Sequence, residues 1–191
     1  MSLHDSYYDP FPIVSLGSPM AISGMIPTEL RQLAHRVASL HGLRFTDFDA
    51  ALEHEAGRSL AQLRDDEAEA SVRRLERRVA ARLLADQPWG IVALPDRLLS
   101  MRSIKRLVEK KSTFVALDYE VRDCYRRFTQ AYRSEAPRWV LEAPGPGSLG
   151  PLYRQWTRRF AKAHIQVSMD GATWRDASES LIRELEASNW R

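Results

Sequence analysis

Between Ser112 and Arg133 the apolar residues Phe114, Leu117, Val121, Cys124, Tyr125, Phe128 and Tyr132 recur at steps of three and four. That spacing lines one face of an α-helix and predicts a central helix over 112–133. Residues Thr113–Leu117 (TFVAL) suit a strand as well, because a short apolar run fits either state. A second stripe, Leu30, Leu33, Ala34, Val37 and Leu40, predicts a helix over 28–41 with Gly42 as its stop. Thr46 and Asp49 have capping-box spacing for a short helix over 47–56. Leu60, Leu63, Ala70, Val72, Leu75, Val79 and Leu83 predict one long helix over 59–85, acidic early and basic late as the helix dipole favours.

Beyond Pro88 the pattern mixes. Trp89–Leu94 reads as a short strand, and Pro95-Asp96 opens a helix that runs to Lys111. Arg138–Glu142 reads as a strand after Pro137. Pro151 then starts a helix that ends at Ala163. His164–Met169 is a strand, Asp170-Gly171 a turn, and 172–174 a returning strand. Asp176 and Glu179 cap a last helix. The expected fold is α+β and predominantly helical, with five or six helices. Its small sheet of short strands comes from 89–94, 138–142 and 164–174, in the C-terminal half. Residues 1–27 form an extended N-terminal arm, with extended pieces at Ile13–Leu16 and Met20–Ile22. Residues 28–191 form a single domain, helical over 28–86 and basic α+β over 87–191.

Residues 1–27 contain no Lys or Arg, and Pro12, Gly17, Pro19 and Gly24 interrupt their apolar stretch. A signal peptide needs a positive start and an unbroken apolar run, and a membrane span needs about 20 apolar residues. Neither is present, so no membrane partner is expected and the location is cytoplasmic. A Ser-rich, cation-free start also fits the leader of an exported effector. The single cysteine, Cys124, excludes an intrachain disulfide and a multi-cysteine zinc site, and its place on the apolar stripe makes it a core residue. His35, His41, Asp47, Asp49, His54 and Glu55 show no paired metal-ligand spacing. No metal and no cofactor are expected.

Charge changes the picture most. Residues 1–96 carry a net −4, residues 97–191 a net +7, and residues 97–162 alone +9, with 24 arginines in the chain. Arg74, Arg78 and Arg82 are spaced i, i+4, i+8, as are Arg102, Arg106 and Lys110, and Arg154, Arg158 and Lys162. Each triple lines one helical face over about 12 Å, a fair match to a run of phosphates. The leading expectation is therefore a non-enzymatic accessory protein of bacterial type. It would bind nucleic acid through Arg102, Arg106, Lys110, Arg154, Arg158 and Lys162. A protein-interaction module that binds an acidic partner (an assembly factor, immunity protein or exported effector) is the first alternative. The second is a small nucleotide-binding enzyme that uses the loop GPGSLG. There Gly145, Gly147 and Gly150 give a literal GxGxxG ahead of a helix, with Asp170 twenty residues on. The charged helix over 59–85 is a candidate for pairing with a second copy of the chain.

Overall fold

The computed structural model describes residues 18–85, 90–131 and 149–187. The chain builds one five-stranded sheet from β1 (Met20–Gly24), β2 (Arg44–Asp47), β3 (Gly90–Pro95), β4 (Thr113–Asp118) and β5 (Ile165–Ser168). Every pairing is parallel and the order is β2-β3-β1-β4-β5. The helices are α1 (Pro27–Leu40), α2 (Phe48–Ala56), α3 (Leu60–Asp66), α4 (Glu69–Ala85), α5 (Arg102–Lys111), α6 (Val121–Ala131), α7 (Gly150–Phe160) and α8 (Trp174–Ala187). A 3-10 turn over Asp96–Ser100 follows β3. Among the described residues no helix is long and apolar enough to cross a membrane.

This α/β architecture corrects the expected small-sheet, mainly helical fold with five or six helices. Eight helices lie among the described residues, and strands come from both halves of the chain. Parallel strands are covered on both faces, so they read as continuous apolar runs rather than alternating ones. MAISG, GIVALP and TFVALD are such runs, and their inner residues are almost fully buried. The expected helix over 112–133 is thus two elements. Thr113–Asp118 is a strand between β1 and β5, and only from Val121 does the helical stripe apply. The expected return strand over 172–174 is instead the approach to α8, where Thr173 and Asp176 cap each other reciprocally. The expected strand over 138–142 lies outside the described residues.

The segment near Met20–Ile22 is the middle of the sheet, with Met20 opposite both Ile91 and Thr113. Residues 44–47, given no strand beforehand, form the edge strand β2. Asp47 ends that strand and caps α2 by accepting from the Asp49 N–H at 3.0 Å. The long helix expected over 59–85 is broken between α3 and α4. Asp65 and Glu69 would be like charges one turn apart in a continuous helix. Glu67 takes extended backbone instead and pairs with Arg58 at 2.5 Å.

Leaving β1, the chain first builds β2 and β3 on one side, then crosses to β4 and β5 on the other. Right-handed crossovers place α1 on one face and α4 and α5 on the opposite face. The packing agrees: α1 lies against α8, and α4 lies against α2 and α5. Each fully buried Ile or Val of the sheet contributes about 1.5–3 kcal/mol. Gly24 ends β1 because space requires it. A Cβ there would stand 3.1 Å from the Leu117 Cβ and Cδ1.

Candidate active site

In an open parallel sheet the ligand crevice lies beyond the carboxyl ends of the strands, where the connections diverge to either side. Here that point is the end of β1. In a P-loop protein the strand-to-helix turn at this position is a glycine-rich loop, GxxxxGK[ST]. Its N–H groups cradle phosphates while its Lys and hydroxyl hold the charge and the metal. In this chain β1 ends at Gly24 and α1 begins at Pro27. Only Met25 and Ile26 intervene, and both are buried. Ile26 offers no side-chain cap to the helix, and Pro27 removes one of its free N–H donors. No Lys or Arg precedes Arg31. Among the described residues, those of this turn therefore do not fit the phosphates and metal ion of a nucleoside triphosphate.

A compact polar cluster stands next to this turn. Glu29, in the first turn of α1, accepts from the Arg127 Nη1 at 2.8 Å and from the Tyr119 hydroxyl at 3.1 Å. Arg127, on α6, also donates to Asp123 at 2.6 Å and to the carbonyls of Met169 and Ala172 at 2.8 and 2.6 Å. Its guanidinium lies 5.8 Å from the centre of the Tyr119 ring. The side chains of Arg127 and Glu29 are only 11% and 18% exposed. Burial, then the negative charge of Glu29, pushes the Tyr119 hydroxyl far above the usual phenol range, so it stays a donor. Cys124 is buried beneath, pushed up to about 12 by burial and by Asp123 and Glu29. A thiol in that state is a packing residue, not a nucleophile.

Beyond the end of β3, a cavity of about 300 Å³ lies between α3, α4 and the 3-10 turn. Arg64, Arg73, Glu76, Arg97 and Ser100 are among its lining residues. Arg97 is fixed by two carboxylates: it grips Asp49 with both Nη atoms, and its Nε meets Glu76 at 3.2 Å. Burial pulls the Arg97 pKa down, but Asp49 and Glu76 more than reverse this and hold it above its ordinary value. Arg73 pairs with the exposed Glu69. Arg64 has no ion-pair partner among the described residues. Across the 3-10 turn, Asp96 accepts from the Trp156 indole at 2.6 Å and from Arg159 at 2.8 Å, which ties α7 to the end of β3. Burial nonetheless raises the Asp96 pKa above the usual carboxylate value.

The basic residues singled out from the sequence sit elsewhere. Arg102 and Arg106 are exposed on α5 and Lys110 is exposed near its end. Arg154 and Arg158 are exposed on α7, and Lys162 just after it. Lys105 donates to the Arg158 carbonyl at 3.0 Å, so the two basic helices are neighbours. Gly150 opens α7, where a Cβ would meet the Arg154 Nη1 at 3.5 Å. Gly145 and Gly147 lie outside the described residues. Asp123 and Arg127 have the i, i+4 spacing of a local helix pair, which hides the longer reach of Arg127 to Glu29. Glu29, Tyr119 and Arg97 were missed. The one signal for Glu29 was an acidic residue in a helix first turn, which is common.

A shikimate kinase family model matches residues 31–185. It begins inside α1, after the turn described above. A shikimate kinase of Caulobacter vibrioides is 30% identical over 111 residues, 58% of this chain. The match spans 55% of that relative, so the chain covers about half its length. A shikimate kinase of a Synechococcus strain is 25% identical over 88% of this chain and 85% of its own. Among solved structures, the shikimate kinase of Acinetobacter baumannii in complex with shikimate superimposes with a TM-score of 0.71 at 15% identity. That likeness covers 91% of this chain and 96% of that one. These findings overturn the expected nucleic-acid binder, and with it the acidic protein partner. Of the three function classes weighed, the small nucleotide-binding enzyme is the one this family matches. By the family model and the strand order together, the chain belongs to the shikimate kinase family.

Proposed function

We propose that this chain is a non-phosphorylating member of its family. It would bind a small hydroxylated carboxylic acid in the cavity between α3, α4 and the end of β3. The observation that carries the first half is the two-residue turn from β1 to α1, which has no room for a phosphate cradle and no lysine to serve one. The second half rests on the cavity itself. Arg64 has no ion-pair partner among the described residues and the exposed Arg73–Glu69 pair costs little to open, so two guanidinium groups are available to a ligand carboxylate. Glu76 and Ser100 supply acceptors for ligand hydroxyls. A solved relative is bound to shikimate, a ring carboxylate with hydroxyls, and the cavity volume suits a ligand of that size. A cytoplasmic location fits such a role.

Titration calorimetry with shikimate, alone and with MgATP, tests the binding half. A coupled assay for ADP release tests the other. Shikimate binding without ADP formation is expected. ADP formation dependent on shikimate would overturn the non-phosphorylating reading, and no heat with any hydroxy acid of this class would overturn the binding one.

A further inference from the structure

The Glu29 cluster gathers the parts of an anion-binding site from four places in the chain. Arg127 comes from α6, the Tyr119 hydroxyl from the end of β4, and the uncapped first turn of α1 adds its partial positive charge. The segment between β5 and α8 holds Arg127 in place through the Met169 and Ala172 carbonyls. Arg127 is oriented by Asp123 from behind, which leaves its Nη1 aimed at the Glu29 carboxylate. An isolated surface ion pair would not need a buried phenol and two carbonyls to fix one guanidinium. The Glu29 carboxylate sits where an external oxyanion would receive the same donors, at the carboxyl edge of the sheet beside β1.

We infer that Glu29 is a tethered occupant of an oxyanion site: its own carboxylate fills the place that a small carboxylate or phosphate would take. The inference rests on the preceding reading only for the location of the crevice. As long as Glu29 is in place, an external anion must displace a group that is always at hand, so the site is closed to anions at ordinary concentrations. Removing the Glu29 side chain leaves Arg127 balanced by Asp123 alone. Tyr119 then has an unused hydroxyl donor beside a hole the size of a carboxylate. Arg126 on the same helix is already paired with Asp123.

The test is the melting temperature of Glu29→Ala and of the unmodified chain in sodium acetate, sodium phosphate and sodium chloride at matched ionic strength. For Glu29→Ala a rise of about 3–5 °C over chloride is expected once the anion is about tenfold above its Kd, with no rise in the unmodified chain. Acetate acting alone would identify a carboxylate site, and phosphate acting alone a phosphate site. Should Glu29→Ala be unfolded in chloride, recovery of its helical circular dichroism on adding either anion is the same positive result. The inference is overturned if neither anion stabilises or refolds Glu29→Ala beyond chloride, or if the unmodified chain responds equally. Neither readout involves ADP or the α3–α4 cavity, so failure here leaves the proposed function standing. Conversely, detection of ADP formation would not touch this result.

Discussion

The two sides of the crevice are built from the same kinds of side chain and behave differently. Next to β1 and β4, Tyr119 is buried, Glu29 and Arg127 are mostly covered, and the three use their polar groups on one another. Next to β3, Arg64 and Arg73 line an open cavity and are free or loosely paired. Burial sets the difference. A charge removed from water must be matched by fixed partners, and it then belongs to the structure. An exposed charge is nearly neutral for stability and available for a ligand. In this chain the cluster beside β1 is part of the internal framework, while the cavity beside β3 leaves Arg64 and Arg73 open to solvent.

Substitutions on the two sides should separate sharply. Arg127→Ala takes the guanidinium from two carboxylates and two carbonyls. Among the described residues that leaves Glu29 only Tyr119 and Asp123 only Arg126, and breaking a largely buried pair costs about 3–5 kcal/mol. At about 2–4 °C per kcal/mol for a chain of this size, the melting temperature should fall by about 6–20 °C. Arg64→Ala with Arg73→Ala should move stability by under about 1 kcal/mol while weakening shikimate binding by about tenfold or more, read by calorimetry. Equal effects of the two sets on stability would erase the distinction.

The boundary between the sides is Gly24. Gly24→Ala forces the Leu117 side chain to give way and should cost about 1–3 kcal/mol in urea unfolding. No change would mean that β4 relaxes freely there.

The smallest expected effect is in acid. Burial pushes Asp123 up, but hydrogen bonds from Arg126 and Arg127 reverse this and leave it below the usual carboxylate range. A carboxylate depressed in the folded state contributes stability above its unfolded value of about 3.9 and loses it as pH falls through the folded value. Asp123→Asn should therefore flatten the fall in stability below about pH 4. An unchanged slope there would show that Asp123 titrates alike in both states.

What could be read from the sequence follows from how far each feature reaches. The α1 stripe and its stop at Gly42 depend on neighbours a few residues apart, and the helix lies within one residue of the expected range. The strand TFVAL was open to either reading because its apolar run carries no period. Only its parallel partners, Met20–Ser23 and Ile165–Ser168, decide the matter. The basic triples were legible but lay on outer helix faces, where arginine is ordinary. The cluster at the crevice was illegible for the opposite reason. Glu29, Tyr119 and Arg127 are unremarkable in their own neighbourhoods, and the sheet order alone brings them together.

That sheet order also decides when the protein can fold. Met20 meets Ile91 on one side and Thr113 on the other, so β1 is completed only after β4 has been made. Until then MAISG is an apolar segment with at least one open edge, and its partners lie about 70 and 90 residues away. Distant pairings slow folding and expose unpaired strands to association. A fusion or truncation that reaches Met20 would remove the strand on which both halves of the sheet close, whatever it left of the helices.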